Sequence, residues 1–411
     1  MSNHLVPSLA TFPTEIIYRI FDNLNAETIL SSFRCTCRRL KSLVHNYDRF
    51  ILNFVRISKV NFELICRLIN PEQVIKLILS HEEKTLFQID LFISHFENKY
   101  FNRIRSLSLL GIDERHLKFI LKCININSLN SFSLVIEKSD ERYKKSTATL
   151  LSSIVSQKNL RRLEFEIPPR LIPSPTWPVQ SMIQYLRIGG CTHFYPCTIL
   201  QCLPMLKTIS VSFRRSENHY IVLADASTTK FTQLNSLSFE NLSTKIEILE
   251  SLLLLIPSLN HFKLIGNGNF LDGNRWEQFI QVNLPFLNKF EFYLEQTRDI
   301  DYNHTDIESI IKLFQTLFWL EYKKWFVKCE YKINLPRSIL LYSIPICISS
   351  MIYQIESTIN SLSTYDIKYD KNLSIMNNIK TIQIDFSKIS LNNISNQVII
   401  NLNIQIFFDL V

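Results

Sequence analysis

The chain reads as an α/β protein in which a small N-terminal helical unit precedes a solenoid of short parallel strands and helices. Three observations predict this. The first fifty residues carry helical apolar stripes. From Tyr100 onward the spacing apolar-x-x-apolar-x-apolar recurs, and the segments between those units are helical and end near proline or asparagine. At 411 residues the chain is long enough for two or three domains or one long repeat array. Hydrophobic residues at 46% and charged residues at 20% place it among globular chains and not disordered ones. Only 6 glycines serve the whole length, which disfavours enzymes built on glycine-rich phosphate loops. A net charge of +8 over this length is a modest aid to solubility.

The elements follow in order. Pro13 opens a stripe at Ile16, Ile17, Ile20, Phe21 and Leu24, the spacing of an amphipathic helix with proline at its start. After Asn25 a second helical pattern runs through Leu30, Phe33, Cys37, Leu40 and Val44, with the basic residues Arg38, Arg39 and Lys41 on its outer side. So small a unit cannot bury both faces of each helix against itself, so it is expected to take a partner. Residues 53–103 read as a helical connector, with runs at Phe62–Ile69 and Val74–Ile78 separated by Pro71.

Between residues 104 and 295 the repeating unit appears eight times. Its anchors are Ile104/Leu107/Leu109, Leu129/Phe132/Leu134, Leu160/Leu163/Phe165, Ile183/Leu186/Ile188, Leu206/Ile209/Val211, Leu234/Leu237/Phe239, Leu259/Phe262/Leu264 and Leu287/Phe290/Phe292. The middle anchors step by 25, 31, 23, 23, 28, 25 and 28 residues, a period that lets each turn climb a strand and return along a helix. Helices are expected near Thr149–Val155, Ile246–Ile256 and Trp276–Ile280. Residues 296–411 read as an irregular continuation, with an aromatic-rich helix over Ile310–Val327 and one more unit at Ile379/Ile382/Ile384. The end, Phe407 to Val411, is less polar than a solenoid cap, which leaves an unusual cap and an incomplete chain both open.

The opening stretch Phe12-Pro13-Thr14-Glu15-Ile16-Ile17-Tyr18-Arg19-Ile20-Phe21-Asp22-Asn23-Leu24 resembles the start of the F-box, Leu-Pro-x-Glu followed by apolar pairs and Ile-Phe-x-x-Leu. Thr28 to Leu40 resembles its second half, with Cys37-Arg38-Arg39-Leu40 at the characteristic end. Phe12, Cys35 and Leu40 depart from the commonest residues but stay apolar. The resemblance implies an F-box domain over residues 6–52 that binds the Skp adaptor of a cullin–RING ubiquitin ligase. Pro13, Ile16, Ile17, Ile20, Phe21, Leu24, Leu30 and Phe33 carry over as its docking set. The repeats resemble irregular leucine-rich repeats, without the usual asparagine or cysteine that would fix a subclass.

Strand side chains alternate between faces, so each unit sends one residue away from the core between its last two anchors. That row is Ser108, Ser133, Glu164, Arg187, Ser210, Ser238, Lys263 and Glu291. Glu164, Arg187, Lys263 and Glu291 are the candidate contacts for a protein substrate, the two cations suiting an acidic segment.

Other constellations carry less. Cys191-x-His193-x3-Cys197-x4-Cys202 fits no common zinc module, and its thiols read as core or turn residues. Asp299, Asp301 and Asn303 imitate a calcium loop but continue into His304 and Ile310, where glycine and glutamate are required. Basic pairs are scattered along the chain and do not mass into a nucleic-acid surface. The expectation is therefore a non-enzymatic substrate-recognition subunit with no catalytic residue, metal or cofactor. Its partners are the Skp adaptor, a cullin reached through it and an unidentified protein substrate, with no nucleic acid or membrane. The odd set of 9 cysteines and the lack of an apolar leader favour a cytoplasmic or nuclear setting. The alternative is a non-ligase repeat scaffold whose opening helices cap the array.

Overall fold

The computed structural model describes residues 9–81, 88–97, 99–136, 144–166, 181–214, 220–223, 229–297, 304–332, 338–354, 359–365, 381–385 and 403–407. The chain divides into two units, residues 1–190 with 201–206, and residues 191–200 with 207–411.

The first unit opens with helices. α1 (Thr14–Phe21) begins after Pro13, whose fixed φ of −55° suits a helix entrance, and carries Glu15 in its first turn. Asn25 starts the next helical stretch, its Oδ1 accepting the Thr28 N–H at 2.7 Å. That stretch comprises α2 (Ala26–Thr28), a widened π turn over Ile29–Phe33 and α3 (Arg34–Thr36). Cys37 breaks it in extended backbone and caps α4 (Arg38–Asn46). Ile17, Phe21, Ile29, Leu30, Leu40 and Val44 are buried together with Tyr47 and Phe50. The Tyr47 ring stands edge-on to Phe21 at 5.4 Å and to Phe50 at 4.9 Å.

Phe50 is also the first residue of β1 (Phe50–Asn53), so the helical core runs straight into a sheet. The chain continues through α5 (Lys59–Leu68), β2 (Val74–Ser80), α6 (Gln88–Phe96), β3 (Ser106–Leu110), α7 (Glu114–Lys122), β4 (Ser131–Val135), α8 (Lys144–Val155), β5 (Arg162–Glu166) and β6 (Tyr185–Cys191). Consecutive strands β1 to β6 pair parallel, as strand–helix–strand crossovers require. The repeat anchors face one another in register: Leu52 opposite Leu77, Leu77 opposite Leu107, Leu107 opposite Phe132, Phe132 opposite Leu163, and Leu163 opposite Leu186.

The helical reading of 53–103 is therefore corrected at Val74–Ile78, which lies in β2. A short apolar run is ambiguous between helix and buried strand, and pairing with β3 decides it. The signal was present, because Val74/Leu77/Leu79 has the same spacing as the eight units and all three side chains are buried.

The second unit begins with β7 (His193–Phe194), α9 (Pro196–Cys202), β8 (Thr208–Phe213) and β9 (Tyr220–Ile221). β10 (Ser236–Ser243), α10 (Ile246–Leu254), β11 (His261–Asn267), α11 (Gly273–Asn283) and β12 (Lys289–Thr297) complete its repeats. β8, β10, β11 and β12 are parallel, with Ile209, Leu237, Phe262 and Phe290 aligned across them. Between Phe239 and Leu242 the β10–β11 register shifts. There the Leu242 carbonyl comes so near Gly266 that a Cβ would sit 2.0 Å from its oxygen, so only glycine fits.

A backbone device marks the entry to the paired strands. In the first unit the Arg105 carbonyl accepts the N–H groups of Asn130 and Ser131, the Asn130 carbonyl those of Arg161 and Arg162, and the Arg161 carbonyl those of Gln184 and Tyr185. In the second unit Lys207, Asn235 and Asn260 do the same for the next turn, at 2.8–3.0 Å. Both lone pairs of each carbonyl are thereby occupied.

After β12 come α12 (His304–Lys312), a π turn over Phe318–Tyr322, β13 (Phe326–Lys332) and β14 (Ser338–Ile344). β15 (Ser350–Gln354), β16 (Ile359–Ser363), β17 (Thr381–Asp385) and β18 (Asn403–Phe407) follow. The repeat reading of 296–411 changes here. β12 pairs antiparallel with β14, β14 with β13, and β13 with β16. Only residues 333–337 connect β13 to β14, too few for a parallel crossover, so the chain must reverse. The expected helix over Ile310–Val327 is likewise split, α12 ending at Lys312 and β13 beginning at Phe326. Its aromatic residues fill the core: Phe314, Phe318, Trp319 and Trp325 are buried, whereas Tyr322 is exposed. Ile382 and Ile384 lie in β17, which pairs parallel with β15.

Candidate functional site

The α1 helix divides the expected docking set. Ile17 and Phe21, with Leu30 from the π turn, are buried in the helical core, where they hold the helices together. Pro13 and Ile16 are exposed, Ile16 at 41%, and Ile20, Leu24 and Phe33 are half-buried. Phe33 is turned partly inward, its ring 5.2 Å from Phe21 in edge-on contact. Phe12 adds a residue to this surface that the sequence reading left out, being 37% exposed just before the helix. The segment is fixed in place by Arg39, whose guanidinium donates to the carbonyl oxygens of Ala10 and Phe12. An apolar ridge from Phe12 to Leu24 thus stands on a rigid helix.

Polar contacts close the other end of the unit. The Tyr47 hydroxyl donates to Asp22 Oδ1 at 2.8 Å, and Asp22 also pairs with Arg49 at 3.3 Å. Burial first, and then this bond to a carboxylate, push the Tyr47 phenol above its usual range, so it stays a donor. Asn61 Nδ2 donates to Glu27 Oε1 at 2.6 Å, tying α5 to α2.

The expected substrate row exists as two register pairs. Glu164 lies opposite Arg187 in the first unit, and Lys263 opposite Glu291 in the second. Neither carboxylate is idle. Glu164 accepts from Arg162 Nε at 2.7 Å, while the Arg162 guanidinium sits 3.9 Å from the Tyr185 ring. Lys263 is half-buried and lies 3.6 Å from Glu240. Glu291 is only 9% exposed, with His261 Nε2 at 2.7 Å and Lys289 Nζ at 2.9 Å. Burial alone would raise the Glu291 carboxyl, but the bonds to His261 and Lys289 outweigh it and hold the group below its usual range. Arg187 is exposed.

The residues after β14 pack beside this row. Ile346 packs with Leu340 and Tyr342, and Tyr293 stacks on Tyr342 at 5.9 Å. Cys347 lies close enough to feel the charges of Lys263 and Glu291. At Glu291 the row expected to be open is instead almost wholly buried.

The remaining constellations stay apart or inert. Cys191 is the last residue of β6, His193 is in β7, and Cys197 and Cys202 are in α9. No group of three His, Cys, Asp or Glu side chains capable of holding a metal occurs among the described residues. Burial pushes the thiols of Cys66, Cys191, Cys329 and Cys347 up to about 12, so none of these four is a thiolate nucleophile at neutral pH. Asp299, Asp301 and Asn303 lie outside the described residues. No described helix is long and apolar enough to cross a membrane.

Residues 9–52 match the F-box domain family. The match spans α1 to α4 and reaches into β1, the same helices whose core and apolar ridge are described above. An F-box domain implies binding of a Skp-type adaptor, and proteins that carry one are typically adaptors without enzymatic activity. None of the curated proteins matches the chain.

Proposed function

We propose that the chain is the substrate-recognition subunit of an SCF-type cullin–RING ubiquitin ligase. The F-box docks the Skp adaptor and through it the cullin, and the strand repeats form a leucine-rich-repeat-like solenoid that holds a protein target. One observation carries the reading: residues 9–52 match the F-box family, and in and around α1 Pro13 and Ile16 are exposed beside half-buried Ile20 and Leu24. Ile17, Phe21 and Leu30 contribute by shaping that helix from below, and Phe33 flanks it. The in-register anchors and the doubly accepting carbonyls support the repeat reading. On the row, exposed Arg187 and half-buried Glu164 are the contacts in the first unit and half-buried Lys263 the contact in the second, with Glu291 acting by orienting His261 and Lys289.

Pull-down with purified Skp adaptor tests the docking half. The wild type should be captured, and Ile16→Asp or Ile20→Asp should weaken capture by about ten- to a hundredfold, since burying one such side chain contributes about 1.5–3 kcal/mol. Capture of neither form, or of both equally, overturns the assignment.

A further inference from the structure

Within the first unit, a cavity of about 400 Å³ opens between α4 and the C-terminal end of α5. Its rim carries Arg34, Arg38, Lys41 and His45. Arg38, Lys41 and His45 project from one helix at intervals of three and four residues, which puts them on one face. None of the four has a carboxylate or a side-chain hydrogen-bond acceptor as partner among the described residues. This contrasts with their neighbours: Arg39 is bonded to backbone carbonyls, Arg49 to Asp22 and Arg67 to Glu63. The floor is apolar, formed by Leu30, Val44, Phe50 and Leu68. Gln73 closes one end, its amide donating to the His45 carbonyl oxygen.

Three uncompensated cations, Arg34, Arg38 and Lys41, around one concave site select a negative ligand, because opposite charge is the cheapest way to relieve their mutual repulsion. Leu30, Val44 and Phe50 are almost wholly buried, so Leu68, half-buried, is the apolar surface that can meet an aliphatic group beside the charge. The volume lies at the low end of the range for ligand pockets, roughly 300–1,000 Å³, so it takes a short stretch of chain and not a folded element. Single-stranded nucleic acid is the poorer fit, since the lining offers no exposed aromatic ring for base stacking; Phe50 is 1% exposed.

We propose that this cavity docks a short acidic segment of a protein partner, its carboxylates on Arg34, Arg38, Lys41 and His45 and one aliphatic side chain on the floor. Bidentate guanidinium–carboxylate pairs at Arg34 and Arg38 fix the segment, while Lys41 adds charge and His45 a ring N–H donor along its length. The site uses different side chains from the apolar ridge of α1, apart from Leu30 beneath both.

The test is fluorescence anisotropy of the full chain with a labelled peptide in which aspartates flank a single leucine. The peptide should bind, and binding should weaken as salt rises. Arg38→Ala with Lys41→Ala should raise Kd, and Arg38→Glu with Lys41→Glu should raise it by at least about tenfold. Arg38 and Lys41 are both solvent-exposed, and circular dichroism checks that the fold is kept. Lys59→Glu, at the other end of α5, and Ile16→Asp, on the adaptor ridge, should leave Kd unchanged, so the result is read separately from adaptor docking. Equal loss in either of those variants overturns the proposal. So does equal binding of the asparagine version of the peptide, or tighter binding of a short oligothymidylate.

Discussion

Glu291 is a carboxylate kept ionised where burial opposes it, and the groups that achieve this are His261 and Lys289. Its folded-state carboxyl titrates below the unfolded one. The resulting stabilisation is whole above the ordinary carboxylate value of about 4.3 and is lost as pH falls through the lower folded value. Glu291→Gln should therefore be less stable than the wild type at pH 7, with the gap closing on the acid side. Urea unfolding at pH 7 and at pH 3 measures it, and a gap that stays constant rejects the account. At this scale the sequence was partly readable: the alternation of a strand named Glu164, Arg187, Lys263 and Glu291 as one row. Lys289, two residues before Glu291 on the same strand, follows from that alternation too, but His261 reaches Glu291 from the neighbouring strand by register, which no local pattern encodes.

Adjacent helices of the repeats are joined by packing and by one polar clamp. Arg275 of α11 sends Nε and Nη2 to Glu250 at 2.7 Å each and Nη1 to Glu247 at 3.0 Å, both carboxylates on α10. Hydrogen bonds to Glu250 first, then Glu247, push the guanidinium still further above its already high range. Arg275 is 37% exposed, so solvent screens much of this. Arg275→Ala should destabilise by no more than about 1 kcal/mol at low salt and by less at 1 M salt. A denaturation midpoint that shifts equally at both salt levels would show that lost packing, not charge, is what matters. Helix positions were legible because Ile246–Ile256 and Trp276–Ile280 carry clear stripes and end at prolines. β2 was legible only by the repeat spacing Val74/Leu77/Leu79, since Val74–Ile78 holds apolar residues on both faces and the alternation that identifies a strand is blurred.

At the scale of the whole molecule the described core is a column of aligned aliphatic and aromatic anchors in each unit. Phe290 is a hub among the described rings of the second, stacked on Phe262 at 5.3 Å and set 5.1 Å from Trp276 and 5.0 Å from Phe292. Phe290→Ala should cost about 3–5 kcal/mol through lost burial and a residual cavity. Phe286→Ala, at a site 63% exposed four residues earlier, should stay within about 0.5 kcal/mol. Chemical denaturation followed by circular dichroism separates them, and equal effects reject the packing order described. Here the sequence was most informative: a single spacing rule marked eight strands and put their middle anchors opposite one another within each unit. It failed past β12, where the short link at 333–337 turns the chain back, because turn length and not apolar spacing sets strand direction.

Phe50 ends one core and begins the next, sealing the F-box helices against the first strand with no flexible stretch between. A body gripped by α1 cannot swivel against β1 without breaking the edge-on contact of Tyr47 with Phe50. Whatever seizes the ridge of Phe12, Ile16 and Ile20 therefore also sets the aim of the strands of that unit, as a handle fixes the angle of its blade.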